Sequence, residues 1–225
     1  GSDIDGEAAG DLFGFSVSLD SDGDRVAIGA DSNAGTALAA GHARVYAYSS
    51  GSWSQLGSDI DGEAQEDYFG HSVSMDSDGD RVAVAAFRND GTASNAGHVR
   101  VYGYSGSSWS QLYTDIDGEA EADYSGISVS LDSDGSRVAI GADYNDGTGS
   151  KAGHVRVYDL LPTISSVSLA SDNSTIVVTM SEAVYNTSSG SGSLEASDFS
   201  LSISGGTATM SSATPSSISI SGNVY

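Results

Sequence analysis

The hexapeptide DIDGEA occurs three times, starting at Asp3, Asp59 and Asp115, with 56 residues between successive copies. The same shift relates SWSQL at Ser52 to SWSQL at Ser108, and Gly41-His42 to Gly97-His98 and Gly153-His154. A long fixed period of this kind means one supersecondary unit used repeatedly, each copy burying its faces against its neighbours. Residues 57–112 show one unit whole. FGHSVSM (69–75) alternates, with Phe69, His71, Val73 and Met75 on one face and Gly70, Ser72 and Ser74 on the other. RVAVAA (81–86), HVRVYGY (98–104) and SWSQL (108–112) follow, separated by DSDG, a Gly/Asn/Asp stretch and SGSS. Four short alternating runs divided by turn residues predict an antiparallel four-stranded sheet. One such sheet per repeat of about 50 residues predicts an all-β protein built from consecutive propeller blades. Large apolar groups on one face and Gly, Ala or Ser on the other would let neighbouring blades nest.

The period fails after Leu160. Ser165 stands where Trp53 and Trp109 stand in the first two repeats, and Pro162 marks the break. The remainder is Ser-rich, with Asp172, Glu182, Glu195 and Asp198 as its only ionised side chains. It keeps strand alternation in SSVSLAS, STIVVTMSEAV, FSLSISGG and SSISISG. The expected organisation is therefore repeats over 1–161 (1–56, 57–112 and 113–160) and a second all-β domain over 162–225. That second domain is shorter than the roughly 100 residues of an Ig-like sandwich and reads as truncated.

At this point the repeats resemble a known family. FGFSVSLDSDGDRVAIGAD (13–31) is similar to the FG-GAP repeat of integrin-α-like β-propellers. Phe13-Gly14 and Phe69-Gly70 match its FG element, Ile28-Gly29-Ala30-Asp31 and Ile140-Gly141-Ala142-Asp143 its GAP element with Asp in place of Pro. The second repeat departs at Ala85-Ala86-Phe87 and the third at Ser125-Gly126. The resemblance covers about residues 1–160. It implies extracellular propellers of about seven blades, often adhesive and often calcium-binding, so three repeats form an incomplete ring and read as a fragment. The tail, PTISSVSLASDNSTIVVTMSEAVY and beyond, resembles the Ig-like domains of bacterial surface and secreted proteins.

The chain carries 31 acidic and 8 basic residues, a formal net charge of −23. That balance argues against nucleic acid as a partner, since phosphate binding needs Lys and Arg to displace counterions. It suits cation binding or a salty exterior. There are no cysteines, which removes disulfides and thiolate metal sites. No apolar run reaches the roughly 18 residues of a membrane helix, so membrane insertion is not expected.

Two acidic stretches invite a calcium reading. In DSDGDR (20–25) and its copies the glycine falls at position 4 (Gly23, Gly79, Gly135), and position 9 is Ile28, Val84 or Ile140. A calcium loop of EF-hand type needs glycine at 6 and oxygen ligands at 1, 3 and 5. A hairpin turn joining the first two strands of each repeat fits better. In DIDGEA the acids fall at 1, 3, 5 and 9 in every copy: Asp3, Asp5, Glu7 and Asp11; Asp59, Asp61, Glu63 and Asp67; Asp115, Asp117, Glu119 and Asp123. This is the spacing of integrin-type calcium loops, although the glycine is at 4 and the segment precedes the FG element. Calcium and a solvated turn between blades both remain open for it.

The repeated histidines His42, His98 and His154 read as strand-edge residues, with a metal site shared between blades as the alternative. His71 replaces Phe15 and Ile127 and belongs to no repeated set. Arg25, Arg81 and Arg137, and Arg44, Arg100 and Arg156, read as neutralising acids within each blade. Trp53, Trp109 and the paired tyrosines read as packing residues, with a sugar-binding surface as the alternative. Asn173 and Asn186 open glycosylation sequons. Nothing points to catalysis, because a nucleophile needs a base and an orienting group, and serines are too abundant for any Ser–His–Asp set to mean much.

The expectation is a non-enzymatic adhesion or binding module of a secreted or cell-surface protein, with an extracellular protein or glycan as ligand and no certain cofactor besides a candidate calcium. Two alternatives stand beside it: an accessory part of a secreted polysaccharide-active enzyme, and a structural spacer.

Overall fold

A computed structural model of the chain describes residues 3–160, 164–169 and 176–180. The chain divides into two compact units, Gly1–Leu160 and Leu161–Tyr225. Every regular element among the described residues is a β-strand.

In the first repeat β1 (Ser16–Leu19), β2 (Arg25–Ala30), β3 (His42–Ser49) and β4 (Ser52–Gln55) form an antiparallel meander in that order. A short β5 (Ile60–Asp61), which belongs to the second DIDGEA motif, joins the same sheet beside β3. The second repeat is built identically from β6 (Phe69–Met75), β7 (Arg81–Ala86), β8 (His98–Tyr104) and β9 (Trp109–Gln111). Here β10 (Ile116–Asp117), from the third motif, pairs with β8. The third sheet has β11 (Ser128–Leu131), β12 (Arg137–Ala142) and β13 (His154–Asp159). In the second unit β14 (Ile164–Leu169) and β15 (Ile176–Met180) make an antiparallel pair. The sequons and the other tail strands lie outside the described residues, as does most of the Ig-like region.

The three repeat sheets stack face on face, and side-chain size explains how. Val73, Met75, Val82 and Val84 of the second sheet share a buried cluster with the small Ala27 and Ala43, and Val45, of the first. The opposite face of the second sheet, with Ala83, Ala85, Val99 and Val101, packs on Leu131, Val138 and Ile140 of the third. A large face nested on a smaller one brings the sheets to native packing density. The approach is close enough that Gly29 admits no side chain: a Cβ there would lie 1.9 Å from the Gly70 carbonyl oxygen.

The serines that alternate with these apolar residues stitch the stack. Ser18 Oγ accepts from the Met75 amide at 3.0 Å, and Ser72 and Ser74 accept from the Val129 and Leu131 amides at 3.0 and 2.9 Å. The stack leaves two unlike faces open. At one end Val17 and Leu19 are 63% and 59% exposed, whereas their counterparts Val73 and Met75 are 7% and 6% exposed. At the other end Val155 and Val157 are exposed, whereas Val99 and Val101 are buried.

DSDGDR does join the first two strands, but by more than an Asp-Gly pair. Leu19 pairs with Val26, and Asp20 closes the loop with an amide bond to the Arg25 carbonyl at 3.2 Å. Asp20 Oδ1 accepts from the amides of Asp24 and Arg25 at 3.0 and 3.1 Å, an arrangement repeated at Asp76 and Asp80-Arg81. The loops also clasp one another. Ser21 donates from its amide to the Ser77 carbonyl at 3.1 Å, and Ser77 likewise to Ser133 at 2.9 Å. Arg25 and Arg81 donate to the carbonyls of Gly79 and Gly135, at 3.0 and 2.9 Å. These two arginines therefore tie a loop to the next repeat, while their charge also favours the ionised carboxylates of Asp24 and Asp76 in their own loops.

Candidate functional site

The opposite end of the sheets carries most of the chemistry. Strand three of each repeat begins there with His-x-Arg, and the DIDGEA motifs before and after the repeat meet over it. In the first repeat the Asp61–His42 and Ile60–Ala43 pairing carries the second motif onto β3. Asp59 is thereby placed against Arg44, which donates from Nε to Oδ1 at 2.8 Å and from Nη2 to Oδ2 at 2.6 Å. Arg44 Nη2 also bonds Glu7 of the first motif. The second repeat copies this: Arg100 holds Asp115 at 2.8 and 2.6 Å and Glu63 at 2.7 Å.

The twelve motif acids thus divide by position. The first (Asp59, Asp115) reaches back to the arginine of the preceding sheet. The third acid bonds an arginine: Glu7 to Arg44, Glu63 to Arg100 and Glu119 to Arg156. The last (Asp11, Asp67, Asp123) is buried and accepts from a buried asparagine, Asn33, Asn89 or Asn145, at 2.9, 2.9 and 2.8 Å. Asp3 and Asp5 are exposed, as are Asp61 and Asp117. Within one motif the structure brings together Glu63 and Asp67, through Asn89, but sends Asp59 to the preceding sheet. The asparagines went unread in the sequence, although their 56-residue recurrence was visible there.

His42, His98 and His154 each open the third strand of their repeat. His42 and His98 are each 1% exposed, enclosed beside the carboxylates and in edge-on contact with Phe13 and Phe69 at 6.4 Å. Burial pushes the His98 imidazole down to about 4, with Arg100 adding to the effect, and lowers His42 for the same reasons. Both are neutral at pH 7. Glu7–His42–Asp59 and Glu63–His98–Asp115 are groups whose ligand atoms all lie within 4.8 Å of one another, a geometry able to hold a metal ion. In the third repeat Glu119, His154, Arg156 and Asp117 line an open concavity.

Arg100 holds the carboxyls of Glu63 and Asp115 below their ordinary values, chiefly by hydrogen bonding. A depressed folded-state value means stability present above the unfolded value and lost as pH falls through the folded one. Denaturant midpoints should therefore drop as pH is lowered from about 5 toward about 3. Arg100→Met should cost about 2 kcal/mol at neutral pH by stranding two carboxylates, and should flatten that acid limb. An unchanged acid limb would show that the pair carries no linkage.

Beside this end runs a strip of aromatic rings that crosses the repeats. Phe15 lies 4.8 Å from His71, His71 4.2 Å from Phe87, Phe87 5.8 Å from Tyr124, and Tyr124 5.1 Å from Tyr144, between ring centroids. Tyr68 joins at Phe87, 5.7 Å away. Arg88 sits over Tyr68 and Phe87, and Lys151 over Tyr144. Tyr68 and Tyr124 take left-handed backbone angles, φ of 57° and 55°. The equivalent Leu12 takes the same conformation, φ of 56°, so this backbone turn belongs to every repeat and carries an aromatic ring in the second and third. Sequence reading placed its sugar-binding alternative elsewhere. Trp109 packs beside the buried core and donates to the Leu56 carbonyl at 2.9 Å, and Trp53 lies 5.2 Å from Tyr48.

No protein-family profile matches the chain, and no curated protein does. Among solved structures it is similar to Kuenenia stuttgartiensis hydrazine synthase, at 14% identity and a TM-score of 0.42 over 77% of this chain and 45% of that one. It is also similar to a predicted 6-phosphogluconolactonase from Bacteroides uniformis, at 12% identity and a TM-score of 0.38 over 78% of this chain and 51% of that one. The chain spans about half the length of the solved structures it matches.

Proposed function

We propose that the chain is a non-enzymatic extracellular binding module, propeller blades of FG-GAP-like sequence followed by an Ig-like domain, with the aromatic strip as its ligand surface. The observation that carries this reading is the strip itself: rings from all three repeats, aligned with Arg88 and Lys151 at one end of the sheets. Such a ribbon suits a chain-like glycan, whose sugar faces stack on aromatic rings while the cations take hydroxyls or acidic substituents. The paired acids and bases support binding rather than turnover, since they are spent on joining repeats. The unlike open faces of the stack are shaped to take further repeats of the same pattern, large face on small.

The test is a glycan array probed with the full chain, with Phe87→Ala and Tyr124→Ala as variants. Selective binding by the wild type and a tenfold or greater loss in either variant, about 1.4 kcal/mol, is expected. Equal binding by variants and wild type would sink the strip as the ligand surface. Hydrolysis or cleavage of any bound glycan would overturn the non-enzymatic reading.

A further inference from the structure

The two enclosed histidines leave a demand unmet. Neither ring nitrogen of His42 or of His98 has a hydrogen-bond partner among the described residues, although both side chains are almost wholly buried. A neutral imidazole always carries one N–H donor and one acceptor nitrogen. Buried polar groups without partners are rare in folded proteins. Here the exception occurs twice, at equivalent positions of successive repeats.

Both rings aim Nδ1 at carboxylates. His42 Nδ1 is 3.8 Å from Glu7 Oε1 and 3.9 Å from Asp59 Oδ2, and His98 Nδ1 is 3.8 Å from Asp115 Oδ2. These separations are too long for hydrogen bonds. They are close to what two ligand atoms adopt around one ion bound at about 2.0–2.2 Å to each.

We propose that Glu7–His42–Asp59 and Glu63–His98–Asp115 each bind one divalent transition-metal ion of the zinc type, clamping together the motifs that flank a repeat. Imidazole among the ligands selects a zinc-type ion over calcium, which takes oxygen alone. Glu7 Oε1 accepts from Asn33, which orients the carboxylate from behind, as outer partners do at metal sites. Arg44 keeps its Nε bond to Asp59 Oδ1, while its Nη2 must share or yield Oδ2 to the ion. Asp61, next along the strand, adds a further negative charge. The third repeat is an internal control. It has Glu119 and His154, but the period fails after Leu160 and no fourth DIDGEA motif follows in the sequence, so the carboxylate that Asp59 and Asp115 supply has no counterpart among the described residues. The inference rests on junction geometry alone and is independent of the ligand strip.

The test is calorimetric titration of chelator-treated full chain with zinc chloride, then with calcium chloride. Two saturable zinc equivalents per chain are expected, with no displacement by equimolar calcium. His42→Ala and His98→Ala should each remove one equivalent, the double variant both, and His154→Ala none. Absence of saturable zinc binding, or full stoichiometry in the double variant, would overturn the proposal and leave only exposed acids as weak sites. Should the variants fail to fold, histidine ring resonances of the wild type decide. Zinc must shift two of the four, and unshifted rings would refute the site.

Discussion

Replacing Phe69 with alanine is expected to cost about 3–5 kcal/mol, the usual loss for a fully enclosed aromatic ring. Phe69 is wholly buried in the cluster that joins the first and second sheets. Its ring meets His98 and Tyr102 edge-on at 6.4 and 6.2 Å, while its amide donates to Ala40 of the first repeat at 2.9 Å. Phe13 supplies the comparison. It holds the same two ring contacts within its own repeat, to His42 and Tyr46 at 6.4 and 6.3 Å. Among the described residues no sheet covers it from outside, and it is only half-buried. Phe13→Ala should therefore cost about 1–2 kcal/mol, in line with its smaller buried area. Urea unfolding followed by circular dichroism measures both. Equal losses would mean that the ring stabilises its own sheet and contributes nothing to the junction.

Strand positions were legible because their residues answer to one local rule. Val73, Met75, Val82 and Val84 alternate with serine and alanine, and that alternation places them on one face whatever surrounds the sheet. The recurrence of that pattern every 56 residues then predicted one sheet per repeat. Contacts between repeats obey no such local rule. Asp59 and Glu7 lie 52 positions apart and meet only because β5 runs back beside β3, so their spacing along the chain carried no trace of the meeting. The DIDGEA acids leave calcium and a turn both open in the sequence for the same reason: adjacency along the chain does not say which of them converge in space. The aromatic strip was hidden differently. Phe15 and His71 are equivalent positions, as are Tyr68 and Tyr124, but Ile127 and Leu12 interrupt these two sets and Phe87 and Tyr144 have no aromatic counterpart, so the period that revealed the fold did not outline the surface.

Gly97→Ala is expected to destabilise by at least about 3 kcal/mol, because two separate costs fall on one methyl group. Gly97 has φ of +79°, a left-handed conformation that disfavours any side chain. An added Cβ would also lie 2.1 Å from the Ser125 carbonyl oxygen and 2.8 Å from the Ser125 amide nitrogen, backbone atoms of the next repeat. Relief requires the second and third sheets to separate, which breaks the Gly118 amide bond to the Gly97 carbonyl at 2.7 Å and the Ser125 amide bond to Ala96 at 2.9 Å. Gly106→Ala isolates the first cost. Its φ is +87°, yet nothing lies within 4 Å of an added Cβ, so it should lose only about 1 kcal/mol. The difference between the two variants reads the closeness of the repeats directly. Stacked repeats are stabilised by nearest-neighbour interfaces, so the damage should also be local. Amide exchange should accelerate in β12 and β13 of the Gly97 variant while β2 stays protected. Uniform acceleration across all three sheets would instead show that they open as a single unit, with no junction weaker than the rest.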